Sequence, residues 1–181
     1  SSKITKFNKR LSIEGDKSLS IRWALLSSQS FKKSRASNLL LSEDVMSTLD
    51  CLKKLGVKIK ISKNFCEIIG LGLNGFKYKD NLILNAGNSG TLGRLILGLL
   101  VHSKKKIKLK GDKSLSKRDF VRVIKPLEKF GAKFYSNYGK LPIKIQGTNY
   151  TKPIKYFENK GSAQCKSCLL YTSPSPRDNK A

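Results

Sequence analysis

The chain has 181 residues, with 37 Lys plus Arg against 12 Asp plus Glu and a formal charge of +25. A hydrophobic content of 39% supports a packed core and argues against a disordered chain, and the length suits one domain or one lobe of a larger fold. The longest apolar stretch, around 95–101, falls far short of the roughly 20 residues of a membrane span.

In chain order, a strand is expected over Phe7 to Ile13, running through GDKS into a helix from Ser18 to Ser30. A strand over Ala36 to Leu40 leads to Ser42, an N-cap residue, and to Glu43 and Asp44, which suit the positive end of a helix dipole and read as a solvated capping pair. That helix runs through VMSTLDCLKKLG and stops at Gly56. VKIKIS and FCEIIG alternate as a hairpin, and a short strand over Leu82 to Leu84 meets the glycine turn that opens the buried helix of GNSGTLGRLILGLL. KKKIKLK is a strand entering GDKSLSKR. A helix follows from Phe120 to Phe130, stopped by Gly131, then strands in AKFYS and PIKIQ. A last strand, Ile154 to Phe157, enters GSAQCKS and another helix start. The order is that of a layered α/β fold with right-handed crossovers. GDKSLS occurs at 15–20 and again at 111–116, which reads as a duplicated block of strand, helix, strand, helix, strand, strand.

SSKITKFNKR has no apolar signal-peptide core and no Met, so no export and a trimmed start are expected. Four Cys without an export signal predict reduced thiols and a cytoplasmic location. The charge excess suggests an anionic partner, but Arg stands only at 10, 22, 35, 94, 118, 122 and 177 and the Lys residues are scattered. That pattern reads as a lysine-biased solvated surface rather than a nucleic-acid reader, and no membrane partner is expected.

Four strand-to-helix turns carry small residues beside cations: Gly15 to Arg22, Gly87 to Arg94, Gly111 to Arg118 and Lys160 to Lys166. Free N–H groups at a helix N-terminus stabilise an anion, Gly lets the backbone approach, Ser or Thr adds a donor, and Lys or Arg neutralises charge. Ser18 and Arg22, at i and i+4, share one helical edge. One such turn is an ordinary cap; four in series, three with an Arg at the same distance, point to phosphorylated ligands. None matches the Walker pattern, which disfavours an ATPase.

GDKSLSIRWALL, GNSGTLGRLILGLL, GDKSLSKRDFVRVIKPLEKFGAKF and GSAQCKSCLL resemble, in that order, the four motifs of the enolpyruvyl transferases, and within them the 5-enolpyruvylshikimate-3-phosphate synthase family. The resemblance covers residues 1–167 and implies an inverted α/β barrel of repeated βαβαββ units, of which only the N-terminal part is present. It implies transfer of enolpyruvyl from phosphoenolpyruvate to shikimate 3-phosphate with no cofactor and no metal, by a full-length monomer. Lys17, Ser18, Arg22, Ser162, Ala163 and Gln164 would bind shikimate 3-phosphate. Lys17, the implied catalytic cation, would also reach phosphoenolpyruvate, together with Gly90 (Asn88 and Thr91 beside it) and Arg118. Asp119 stands where the family commonly has Pro. The sibling family acting on UDP-N-acetylglucosamine has Lys-Asn in the first motif and a Cys five residues before the third-motif Arg; Ser18 and Lys113 disfavour it. The family's second lobe, with its carboxylate base and further cations, has no counterpart here, so no turnover is expected of the chain alone.

From Cys168 to Asp178 the sequence resembles the translation of a transposase-type sequencing adapter, so 168–181 is expected to be a non-native tail, its Pro and Ser barring a helix beyond Ser173. Cys165 and Cys168 then make an accidental CxxC rather than a metal or redox site; His102 reads as a helix-end residue and Trp23 as core. Asp16 and Asp112 read as turn formers. The remaining alternatives are a basic nucleic-acid-binding module and a fragment that fails to fold because its strand edges are unpaired.

Overall fold

The computed structural model describes residues 8, 13–63, 65–157 and 161–172. Helix α1 (Lys17–Ser28) starts because Asp16, in extended conformation, accepts the Leu19 N–H on its side chain at 2.7 Å. Its inner face of Ile21, Ala24, Leu25 and Ser28 is buried, and Trp23 packs against the core from a half-buried position. β1 (Lys33–Ser37) lies three residues earlier than its pattern suggests, because Asn38 turns into the left-handed region at φ 54°. α2 (Glu43–Lys54) ends before Gly56, whose φ of 91° suits glycine. Ser42 holds the N-cap position without a side-chain cap bond, and its buried hydroxyl has no partner among the described residues. β2 (Lys58–Ile61) and β3 (Phe65–Ile69) form the expected antiparallel hairpin, and β1 pairs with the other edge of β3, giving the order β1-β3-β2.

β4 (Leu82–Asn85) and β5 (Ile107–Lys110) are parallel, and the crossover a parallel pair requires is α3 (Gly90–Leu99) with a 3₁₀ turn at Leu100–His102. α4 (Val121–Lys129) precedes β6 (Lys133–Asn137) and β7 (Lys140–Gln146), and the second sheet has the order β4-β5-β7-β6. Pro126 inside α4 has no N–H to give the Arg122 carbonyl, and the Cys165 thiol donates to that carbonyl instead, at 3.2 Å. Along β7, Leu141, Ile143 and Ile145 point inward while Lys140 and Lys144 point out, and Lys144 stands directly opposite Lys108. Much of the lysine excess on this sheet is therefore its wet face.

Residues 82–146 are one complete strand-helix-strand-helix-strand-strand unit. From α1 onward the first unit repeats it: β1-β3-β2 matches β5-β7-β6, and β1, β2 and β3 begin at 33, 58 and 65 where their counterparts begin at 107, 133 and 140. The duplication is real, but its offset is 74 or 75 residues, and the GDKSLS repeat does not mark it. Gly15 precedes α1, whose counterpart is α3, whereas Gly111 follows β5. The hexapeptide encodes a local cap: Asp112 accepts the Leu115 N–H at 2.7 Å, as Asp16 accepts that of Leu19. The second copy opens only a 3₁₀ turn, Leu115–Lys117, so the third expected helix N-terminus is not one.

The strand expected over 7–13 lies outside the described residues except for Asn8 and Ile13, which are not in a strand. Residues 154–157 form no strand, since they pair with no strand among the described residues. α5 (Ala163–Thr172) crosses position 168 without a break; residues 173–181 lie outside the described residues. One core joins both units around α3, which is buried from Leu95 to Leu99 on every side.

Candidate functional site

The site grows from the way α3 and α5 pack. Gln164 bonds Thr91, the Cys168 thiol donates to the Arg94 carbonyl, and the Thr172 hydroxyl donates to the Gly98 carbonyl. Each contact advances about one turn along both helices, so α3 and α5 run parallel and start at the same end. Glycine permits this approach: a Cβ on Gly98 would overlap the Cys168 carbonyl oxygen. α1 joins the same cluster through Arg22, whose Nη1 donates to Ser167 Oγ at 2.6 Å. Parallel helices with adjacent N-termini add their positive dipole ends.

Gly90 sits at the centre. A Cβ there would lie 2.9 Å from Arg118 Nη1 and 3.0 Å from Arg94 Nη1, so two guanidinium groups converge on the first residue of α3. Arg118, exposed, also donates to Asn88 Oδ1 at 3.3 Å. Arg94 donates to Gln164 Oε1 at 2.9 Å and, more weakly, to the carbonyls of Gly90 and Asp119, and lies 5.3 Å from the centre of the Phe120 ring. Burial lowers the Arg94 pKa, and Arg118 and Arg122 lower it further while Asp119 opposes them. Neither Arg94 nor Arg118 forms an ion pair among the described residues.

Of the residues singled out from sequence, Gly90, Arg118, Asn88, Thr91 and Gln164 are thus brought together, and Arg22 reaches α5 from α1. Ser162 caps α5, its hydroxyl accepting the Cys165 N–H at 3.2 Å, while Ser18 and Ala163 are exposed. Lys160 of the fourth turn lies outside the described residues. Lys17 is half exposed and 3.1 Å from Asp44 at the start of α2, so Asp44 is an ion-pair partner and not merely a solvated cap. Arg94 is the residue that sequence reasoning left without a role. Its signal was its place four residues after Gly90, as Arg22 stands four after Ser18.

The other chemistry-bearing groups turn elsewhere. Cys165 and Cys168 are buried, and their thiols donate to carbonyls on different helices, α4 and α3. His102 Nε2 lies 3.1 Å from Thr172 O at the far ends of α3 and α5. Among the described residues no helix is long and apolar enough to cross a membrane.

Residues 1–177 match the family profile of EPSP synthase (3-phosphoshikimate 1-carboxyvinyltransferase). A 3-phosphoshikimate 1-carboxyvinyltransferase of Vesicomyosocius okutanii is 48% identical over 160 residues, 88% of this chain and 37% of the relative; one from Streptococcus agalactiae is 40% identical over 163 residues, 89% and 38%. The solved EPSP synthase of Acinetobacter baumannii superposes with a TM-score of 0.83 at 34% identity, over 90% of this chain and 37% of that one. The chain therefore spans a little over a third of the length of these relatives.

Proposed function

The chain belongs to the EPSP synthase family, and we propose that the whole protein transfers the enolpyruvyl group of phosphoenolpyruvate to the 5-hydroxyl of shikimate 3-phosphate, releasing phosphate. The observation that carries this reading is the pair of guanidinium groups meeting at Gly90, unpaired with any described carboxylate, at the joint N-terminal end of α3 and α5. A site so charged favours a small, multiply anionic ligand.

In this reading Arg22, with Ser18 one turn before it, and the α5 turn of Ser162, Ala163 and Gln164 hold shikimate 3-phosphate. Gly90 and Arg118 border phosphoenolpyruvate. Lys17, on a flexible stem, exchanges Asp44 for a ligand oxygen and reaches both substrates. These groups hold the two anions in place and stabilise charge as it develops on the departing phosphate. None is a covalent nucleophile. Proton transfer to and from the reacting carbons falls to groups on the second lobe, so the 181-residue chain binds without turning over. We propose further that residues 1–167 are the N-terminal portion of this two-lobed fold and 168–181 a foreign tail, which the underlying DNA decides.

Calorimetry of the chain with shikimate 3-phosphate tests the site. Heat is expected from the wild type, and the double substitution Lys17→Ala, Arg22→Ala should abolish it. Heat unchanged by the double substitution would count against the assignment. Steeply salt-dependent binding of DNA or RNA with no response to shikimate 3-phosphate would favour a nucleic-acid module instead.

A further inference from the structure

A guanidinium held half-buried among neutral acceptors needs a reason. Arg94 has carbonyls and an amide for hydrogen-bond partners, no ion pair with a described carboxylate, and two like charges, Arg118 and Arg122, pressing on it against the opposing pull of Asp119. A neutral side chain would fill the space beside Phe120 at lower electrostatic cost. What a neutral side chain would not do is orient Gln164. Gln164 Oε1 accepts from Arg94 at 2.9 Å, and its Nε2 donates to Thr91 Oγ1 at 3.1 Å. Arg94, a donor only, compels the amide to turn its oxygen toward α3. The second N–H of Nε2 is then left for a ligand oxygen. Without Arg94 the amide is free to rotate and present its carbonyl to an anion, which repels it.

We propose that Arg94 is a positioning residue: it locks the Gln164 amide against Thr91, so that the α3 turn and the α5 turn act as one anion-binding unit. This rests on the reading of an anion site, and it adds to that reading the residue that couples its two halves. The duplicated architecture supports the idea. Arg22 occupies the corresponding turn of α1 and likewise reaches across to α5, donating to Ser167. Both helices thus send an arginine from their second turn to α5, one to a hydroxyl and one to an amide.

The test uses the 181-residue chain, with shikimate 3-phosphate as probe and the Gln164 side-chain amide signals in ¹H–¹⁵N spectra as a second readout. Arg94→Met keeps the stem and removes the fork. It is expected to move the Gln164 signals toward those of a solvent-exposed glutamine and to weaken binding about tenfold, the scale of one charge-assisted hydrogen bond. Arg94→Lys should recover part of both effects. Thr91→Val releases the other end of the amide without touching a charge, and should weaken binding in the same direction by about threefold. It carries the test if Arg94→Met fails to fold. Weaker binding with Gln164 signals unchanged would mean that Arg94 acts on the ligand directly, and would overturn the inference, as would altered signals with wild-type affinity. A wild-type chain that binds no shikimate 3-phosphate overturns the reading of the site, and the inference with it. A wild type that binds, alongside variants unchanged in either readout, overturns the inference alone.

Discussion

Gly98→Ala is the sharpest probe of how the site is built, because two effects of opposite sign meet at one methyl group. In an isolated helix the substitution stabilises by about 1 kcal/mol. Here the new Cβ would overlap the backbone carbonyl oxygen of Cys168 and lie 3.0 Å from its sulfur. A carbonyl in a helix has no rotamer through which to retreat, so α3 and α5 must move apart. Overpacking of this kind costs about 1–3 kcal/mol. Separation also stretches the bonds from Cys168 Sγ to Arg94 O and from Thr172 Oγ1 to Gly98 O, both 3.1 Å, each worth about 1 kcal/mol. Net of propensity, a loss of about 2–4 kcal/mol is expected, a large share of the roughly 5–15 kcal/mol of a typical domain. Urea denaturation measures it. Because the proposed anion site lies at the shared helix ends, the folded fraction should also bind shikimate 3-phosphate more weakly, although Gly98 lies two turns from Gly90. A variant with an unchanged or raised urea midpoint would refute the close parallel packing, and with it the account of why the N-termini coincide.

Two further outcomes follow from named groups. Burial pushes the Cys51 thiol up from its ordinary value of 9.0 to about 11, so above pH 9 the unfolded chain releases a proton that the folded chain keeps. The stabilisation from this group is complete below pH 9 and lost as pH rises through 11, by roughly 2–3 kcal/mol; urea midpoints of wild type and Cys51→Ala should converge across that window, and parallel curves would contradict it. Asp44→Asn removes the resting partner of Lys17, an exposed pair worth less than about 1 kcal/mol, so the melting temperature should hardly move while affinity for shikimate 3-phosphate rises about threefold. Weaker binding in calorimetry would show instead that Asp44 holds Lys17 in its working position.

Local rules were legible wherever a residue acts on its own neighbours. Gly56 and Gly131 end their helices at φ 91° and 107°, Asp16 and Asp112 cap, and β7 alternates as its sequence alternates. What failed to show was phase. The GDKSLS repeat is visible to the eye, yet one copy opens α1 and the other opens a 3₁₀ turn, at unequal stations of the true repeat. A capping motif is selected by local hydrogen bonds such as those of Asp16 and Asp112, and those bonds do not encode which strand comes before. The unit that does repeat shares strand order without a shared hexapeptide. Arg94 was hidden for a related reason: its partner Gln164 is 70 residues away, and nothing local distinguishes it from any arginine facing solvent.

The same distinction bears on how, in the proposed reading, a chain of charge +25 would select small anions. Lysines that alternate outward along β5 and β7 raise the potential everywhere on that sheet, where water and salt screen it within about 8–10 Å. At Gly90 the charge is of another kind. Arg94 is half-buried and fastened at three acceptors, Arg118 is tied to Asn88, and the backbone N–H groups of two helices are fixed in the same place. Charges that are already oriented need little reorganisation when a phosphate arrives, and partial burial strengthens each contact. Neutralising several sheet lysines should therefore change the salt dependence of encounter, whereas moving one guanidinium by an ångström should change affinity itself.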